Sequence, residues 1–132
     1  MSQENVEIVE RAVAAVNERD IDCYLACCTE DIELRTPLAP IGAVYDGPDA
    51  IRRFFADIQD TSSDFHLDLK RVTPIGADRV LAFLRFTSGG RASGIPMSAD
   101  SANVYDLVDG KIRRVRIFLD RQEALEAVGL RE

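Results

Sequence analysis

The chain has no tryptophan and a single histidine, His66, and its three cysteines crowd together as Cys23, Cys27 and Cys28. A structural zinc site needs four ligands, and with one histidine no metal site is expected. A Cys27–Cys28 disulfide would be strained by helical geometry, so reduced, partly buried thiols are the reading. No apolar run approaches the roughly 20 residues of a membrane span. Positive charge is also short, with 16 Lys and Arg against 23 Asp and Glu, a formal net charge of −7. That balance disfavours nucleic acid, whose binding rests on basic surface and released counterions. The one basic cluster, Lys111, Arg113, Arg114 and Arg116, reads as a solvated or subunit-facing strand surface. Met1-Ser2-Gln3-Glu4 begins polar and acidic, without a basic start or apolar signal core. The expectation is a cytoplasmic chain with no membrane partner.

What is present is an ordinary globular balance: 132 residues, 46% hydrophobic and 30% charged, read as one domain over 1–132. Ser2 can cap a first helix with Glu4 in its first turn, and Val6, Val9, Val13 and Val16 recur at helical spacing. Asp20 is placed to cap a short second helix with the stripe Ile21, Tyr24, Leu25 and Cys28. Asp31 to Thr36 alternates as a strand and stops at Pro37, and residues 37–47 read as a loop. Pro48 suits the first turn of a third helix, where Ile51, Phe54, Phe55 and Ile58 form the apolar face. Phe65–Ile75 alternates through Leu67, Leu69 and Arg71. Arg79–Thr87 is dense enough to be buried on both faces, and the Gly-rich stretch Ser88–Gly94 breaks it. A closing hairpin follows, and Asp120 with Glu123 caps a last helix through Ala124, Leu125 and Val128, stopped by Gly129. Successive strands of this kind favour antiparallel pairing and an α+β fold.

The hairpin, Ser101–Leu107 and Ile112–Leu119 around Asp109-Gly110, admits two registers. A two-residue loop sets Leu107 against Ile112 and Tyr105 against Arg114. A type I turn with Gly110 as a left-handed bulge sets Asn103 against Val115 and Ser101 against Ile117. A slip of one residue decides which side chains look inward.

These residues, in this order, resemble the SnoaL-like branch of the nuclear transport factor 2-like, ketosteroid isomerase-like superfamily. The marks are Val16-Asn17-Glu18-Arg19-Asp20, Asp31-Ile32-Glu33-Leu34, and Tyr45-Asp46-Gly47 opening a helix at Ile51-Arg52-Arg53-Phe54. They continue with Ser93-Gly94, Asp109-Gly110-Lys111-Ile112, Phe118-Leu119-Asp120 and Glu123-Ala124-Leu125. The resemblance implies a cone: a curved antiparallel sheet wrapped around three N-terminal helices (a cystatin-like α+β barrel) with a short C-terminal helix. It also implies a small-molecule pocket in the cone and a homodimer through the outer sheet face. Function does not follow from the fold, which hosts many chemistries.

Residue by residue, the known acid–base sets of such folds do not match. The isomerase type uses a carboxylate base, a tyrosine and a protonated acid, a pattern for which that enzyme is a standing example. The matched positions are Thr36, Ala12 and Asn103. The epoxide hydrolase-like set falls near Leu84, Phe86 and Ile117, all apolar. The resemblance favours the bulged register, which points Leu34, Thr36, Ala82, Leu84, Phe86, Ser101, Asn103, Tyr105, Val115, Ile117 and Leu119 inward, joined by Tyr24 and Phe54. Apart from Leu34 and Ala82, these are the expected ligand-binding residues. Arg85, Val104, Arg114, Arg116 and Phe118 would lie outside.

Each polar member also has a plain structural reading: Thr36 as a strand-end cap, Tyr24 and Tyr105 as wall residues with one polar tip. His66 falls out of phase and reads as solvent-facing, and alternation points Asp100 away from the row. A buried, unpaired amide costs roughly 1–3 kcal/mol, so Asn103 is expected to meet a ligand, a water or Tyr105. The expected function is binding of a small, largely apolar molecule, with no cofactor and no assigned catalytic residue. The alternative is a polyketide cyclase, isomerase or dehydratase-like enzyme in which Asn103 and the tyrosines orient a ketone.

Overall fold

The protein is described by a computed structural model covering residues 2–36, 44–61, 65–88 and 97–129. The loop expected over 37–43 and the glycine-rich break at 89–94 lie outside the described residues.

Helix α1 (Ser2–Glu18) buries Val9, Ala12, Val13, Ala15 and Val16. The alanines keep this face flat, so the helix lies close against the sheet, chiefly on β3. It ends at Arg19, whose φ of +58° is left-handed, the conformation that commonly closes a helix. Helix α2 (Ile21–Ala26) starts where Asp20 accepts a hydrogen bond from the Cys23 N–H at 3.1 Å. It is shorter than its apolar stripe suggests, because Cys28 is already the first residue of strand β1 (Cys28–Arg35). Cys27 and Cys28 are buried and Cys23 half-buried, all as free thiols.

Strand β2 (Val44–Asp46) was not expected, since three residues carry no readable alternation. It forms by pairing antiparallel with β1, Tyr45 opposite Leu34. Helix α3 (Gly47–Thr61) follows, with Ile51, Phe54, Phe55 and Ile58 all buried. Strands β3 (His66–Ile75), β4 (Arg79–Ser88), β5 (Met97–Val108) and β6 (Lys111–Phe118) run antiparallel in sequence, and β6 closes on β1 in parallel. The sheet order is β2-β1-β6-β5-β4-β3. His66 is exposed and Asp100 pairs outward with Arg85 at 3.0 Å.

Two bulges correct the sequence reading. In β3 the register shifts between Leu69 and Arg71, so Lys70 is the extra residue, Arg71 turns to solvent and Val72 takes the inward place. In the closing hairpin neither expected register runs through. Asp109 and Gly110 both have positive φ, +51° and +78°, which makes the two-residue turn that matches strand twist. Val108 faces Lys111 and Leu107 faces Ile112, but beyond them Asp106 faces Arg114, Tyr105 faces Val115 and Asn103 faces Ile117. One extra residue, Arg113, lies in β6. It leans across to β1, where its guanidinium meets Asp31 and Glu33, each at 2.9 Å. The bulge restores the parity of a three-residue loop, so Val115 and Ile117 face inward although their partners differ from those expected.

Helix α4 (Arg121–Ala127) is capped by Asp120, which accepts from the Gln122 and Glu123 N–H groups. Its residues Ala124 and Leu125, with Val128 just beyond, pack on Leu81, Ala102 and Val104. Part of the outer sheet face is thereby covered by the chain itself.

Candidate functional site

The inner face of the sheet and helices α1, α2 and α3 line a partly open void of about 40 Å³. That is about a quarter of the ~150 Å³ apolar cavity known to admit benzene, and room for little more than water. Its walls are Ala12, Val13 and Val16 of α1, Tyr24, Leu34, Phe54, Phe65, Leu67, Phe86, Ser101, Asn103, Tyr105, Val115 and Ile117. Of the residues expected to contact a ligand, Tyr24, Phe54, Phe86, Ser101, Asn103, Tyr105, Val115 and Ile117 are gathered here. Thr36 and Leu84 are buried, 4% and 1% exposed, but do not reach the void.

Leu119 is a correction. It is 50% exposed and lies apart from this void, in a second groove with Phe83, Leu84, Ser101, Ala102 and Arg121. Strand β6 stops at Phe118, and alternation no longer applies once the backbone turns to cap α4. The wall residues missed by sequence are Val13, Val16, Phe65 and Leu67. Their burial was legible from periodicity, but which buried residue borders a void depends on the curvature of the cone. Ala12, the position matched to the isomerase tyrosine, does line it.

The polar groups form a directed chain along β5. The Ser101 hydroxyl donates to Asn103 Oδ1 at 3.5 Å, and Asn103 Nδ2 donates to the Tyr105 hydroxyl oxygen at 3.2 Å. Tyr105 therefore keeps its own proton to give. Burial pushes its phenol up to about 12, only partly opposed by the Asn103 hydrogen bond. Burial likewise holds the Tyr24 phenol well above its ordinary value, with Cys28 and Tyr105 nearby adding to the shift. Both phenols are neutral donors at physiological pH. Below them the Cys28 thiol, pushed up to about 12 by burial, donates to the Tyr24 carbonyl at 3.2 Å.

No described wall residue is a carboxylate, histidine, lysine or arginine, so these walls donate hydrogen bonds and take no proton at neutral pH. Among the described residues no group of three or more His, Cys, Asp or Glu converges as a metal site, and no helix is long and apolar enough to cross a membrane.

The edge of the site is clipped by α1. The Asn17 side chain donates to the Leu67 carbonyl at 2.8 Å and accepts from the Leu67 N–H at 2.7 Å, standing in for a neighbouring strand. The Arg19 guanidinium holds the Phe65 carbonyl at 2.7 Å and the Val16 carbonyl at 2.7 Å.

Fold and site together define an α+β domain whose curved sheet and helices surround an interior lined, among the described residues, by apolar side chains and hydrogen-bond donors. The SnoaL-like domain family matches residues 9–115, most of the sequence, and the chain belongs to that family. No curated protein matches it. Among solved structures, Bal32a from a soil-derived mobile gene cassette superposes with a TM-score of 0.83 at 22% identity, covering 96% of this chain and 97% of its own. TerC, co-crystallised with polyporic acid, gives 0.79 at 22% identity, covering 95% and 98%. A putative SnoaL-like polyketide cyclase from Jannaschia sp. CCS1 gives 0.75 at 18% identity, covering 96% and 92%. Further similar structures are described as cystatin-like, ketosteroid isomerase-like and NTF2-like. At these identities the likeness speaks for the fold.

Proposed function

We propose that this SnoaL-like chain binds a small, neutral, largely apolar molecule that carries one hydrogen-bond acceptor, such as a ketone oxygen. The observation that carries the reading is the direction of the Ser101–Asn103–Tyr105 chain, which ends in an unspent phenol proton beside a second phenol, Tyr24. An acceptor oxygen there would satisfy donors that are costly to leave dry. That TerC, of similar fold, was crystallised with polyporic acid supports a ligand in such a cone. The test compares 1-indanone with indane, rings of one shape with and without the oxygen. Tyr105→Phe should weaken indanone by about tenfold, a hydrogen bond's worth of ~1.4 kcal/mol, and leave indane unchanged by calorimetry. An equal loss for both would sink the assignment.

A second reading keeps the same residues and adds turnover. Two protonated phenols beside an amide would orient and polarise a ketone for a cyclase, isomerase or dehydratase-type step. Support for it comes from the amide–phenol geometry and from the cyclase-like neighbour.

We also place the chain in the cytoplasm, to which free thiols at Cys23, Cys27 and Cys28 are suited, and as a homodimer through the outer sheet face. Among the described residues, the large exposed apolar ones, Val44, Val108 and Leu119, project from that side by strand alternation or from its rim. Sedimentation at micromolar concentration should report a dimer that Val108→Glu dissociates. A monomer at all accessible concentrations would end this proposal.

A further inference from the structure

The void as it stands is too small for the ligand proposed above, so some wall residue must yield. The lining shows which one can. Eleven of the wall residues are buried outright; Phe65, Leu67 and Ile117 alone keep partial contact with solvent. Leu67 and Ile117 are held in the ladder, opposite Phe86 and Asn103. Phe65 is different. It precedes the first residue of β3 and takes no place in the strand pairing. Its ring stacks on Phe86, with centroids 6.0 Å apart and planes 22° apart. Its backbone is nonetheless fixed, because Arg19 grips its carbonyl and Asn17 grips Leu67 two residues on. A half-buried ring at the rim, on a clamped backbone outside the ladder, can turn about its own side-chain torsion without disturbing the sheet, as a door turns on a hinge.

We infer that Phe65 is the entrance of the cone: its ring swings off Phe86 to admit the ligand and closes again over it, while the α1 clips keep the frame still. This rests on the binding reading above and adds where and how the ligand passes. The Phe65–Phe86 stack is then a rate-setting element, since opening must forfeit one aromatic contact and wet part of the interior.

The probe is a neutral naphthyl ketone dye whose emission rises in apolar surroundings, mixed with the protein by stopped flow. Phe65→Ala should raise the association rate constant by about tenfold, Phe65→Leu by less, and Phe65→Trp should lower it. The graded series keeps the test open if the alanine variant folds poorly, and far-UV circular dichroism checks each fold. Association rates within twofold of wild type across the series would overturn the door. So would Leu67→Ala or Ile117→Ala accelerating entry as much as Phe65→Ala. If the dye binds wild type but its rates ignore Phe65, only the door falls. If it binds neither wild type nor Phe65→Ala, the pocket reading falls with it.

Discussion

Phe54→Ala should lower the free energy of unfolding by about 3–5 kcal/mol, and saturating benzene should return part of that loss. Phe54 stands at the join between the fold's support and its interior. Its ring meets Tyr45 edge-on at 5.2 Å and Phe55 at 6.0 Å, and Tyr45 in turn donates to Asp57 at 2.7 Å. These contacts tie α3 to the short β2. On its other side the ring borders the void. Truncation therefore adds the ring's volume to space that is already empty, and neighbouring side chains cannot collapse to fill both. The enlarged, dry space would approach the size that takes up benzene, and a ligand that binds only the folded state stabilises it by mass action, here about 1–3 kcal/mol. Urea unfolding with and without benzene measures both quantities. A loss below about 1 kcal/mol would mean that the ring anchors little, and a full loss without rescue would mean that the space collapses.

Asp106→Asn should cost about 2–3 kcal/mol at neutral pH, because it leaves cations facing one another on a half-covered surface. The Asp106 carboxylate, 17% exposed, receives Arg79 at 2.7 Å, Arg114 at 3.0 Å and Arg116 at 3.5 Å. Burial by itself would raise its pKa, but hydrogen bonds from Arg79 and Arg114 outweigh that and hold it below the ordinary carboxylate value. The sign of the pH effect follows. A carboxylate whose folded pKa is depressed stabilises the fold fully above its unfolded pKa of about 4, and the contribution fades as pH falls through the folded value. The stability gap between wild type and variant should thus be widest at pH 7 and narrow progressively as pH falls below about 4. Denaturation midpoints compared at the two ends decide it, and a gap independent of pH would show that the charge is not the cause.

How much of this was legible beforehand depends on how local each signal is. The apolar faces of α1 and α3 and the caps at Asp20 and Asp120 are written within a few residues, because a helix repeats every 3.6 residues and a cap touches only its own first turn. The inward row of Asn103, Tyr105, Val115 and Ile117 was reached with the wrong cross-strand partners, since turn and bulge each add one to the count and only the parity survives. Neither Lys70 nor Arg113 advertises a bulge, because an inserted residue leaves a stretch of alternation intact on either side of it. Leu119 fails for a related reason: alternation in the letters runs one residue further than the strand does. Strand β2 exists only because β1 lends it a partner. The void, and Phe65 at its edge, are properties of how separate elements curve around one another, which no window of sequence contains.

The extra residue at Arg113 has a consequence beyond register. If Arg113 took a place in the ladder opposite Asp106 instead of bulging, Arg114 and Arg116 would enter the cone while Val115 and Ile117 left it. The electrical character of the interior is therefore set by a count rather than by the identity of any lining residue. A slip of one residue along β6, with nothing lost from the sequence, would exchange a neutral chamber for a cationic one, because the arginines already wait on the other side of the sheet.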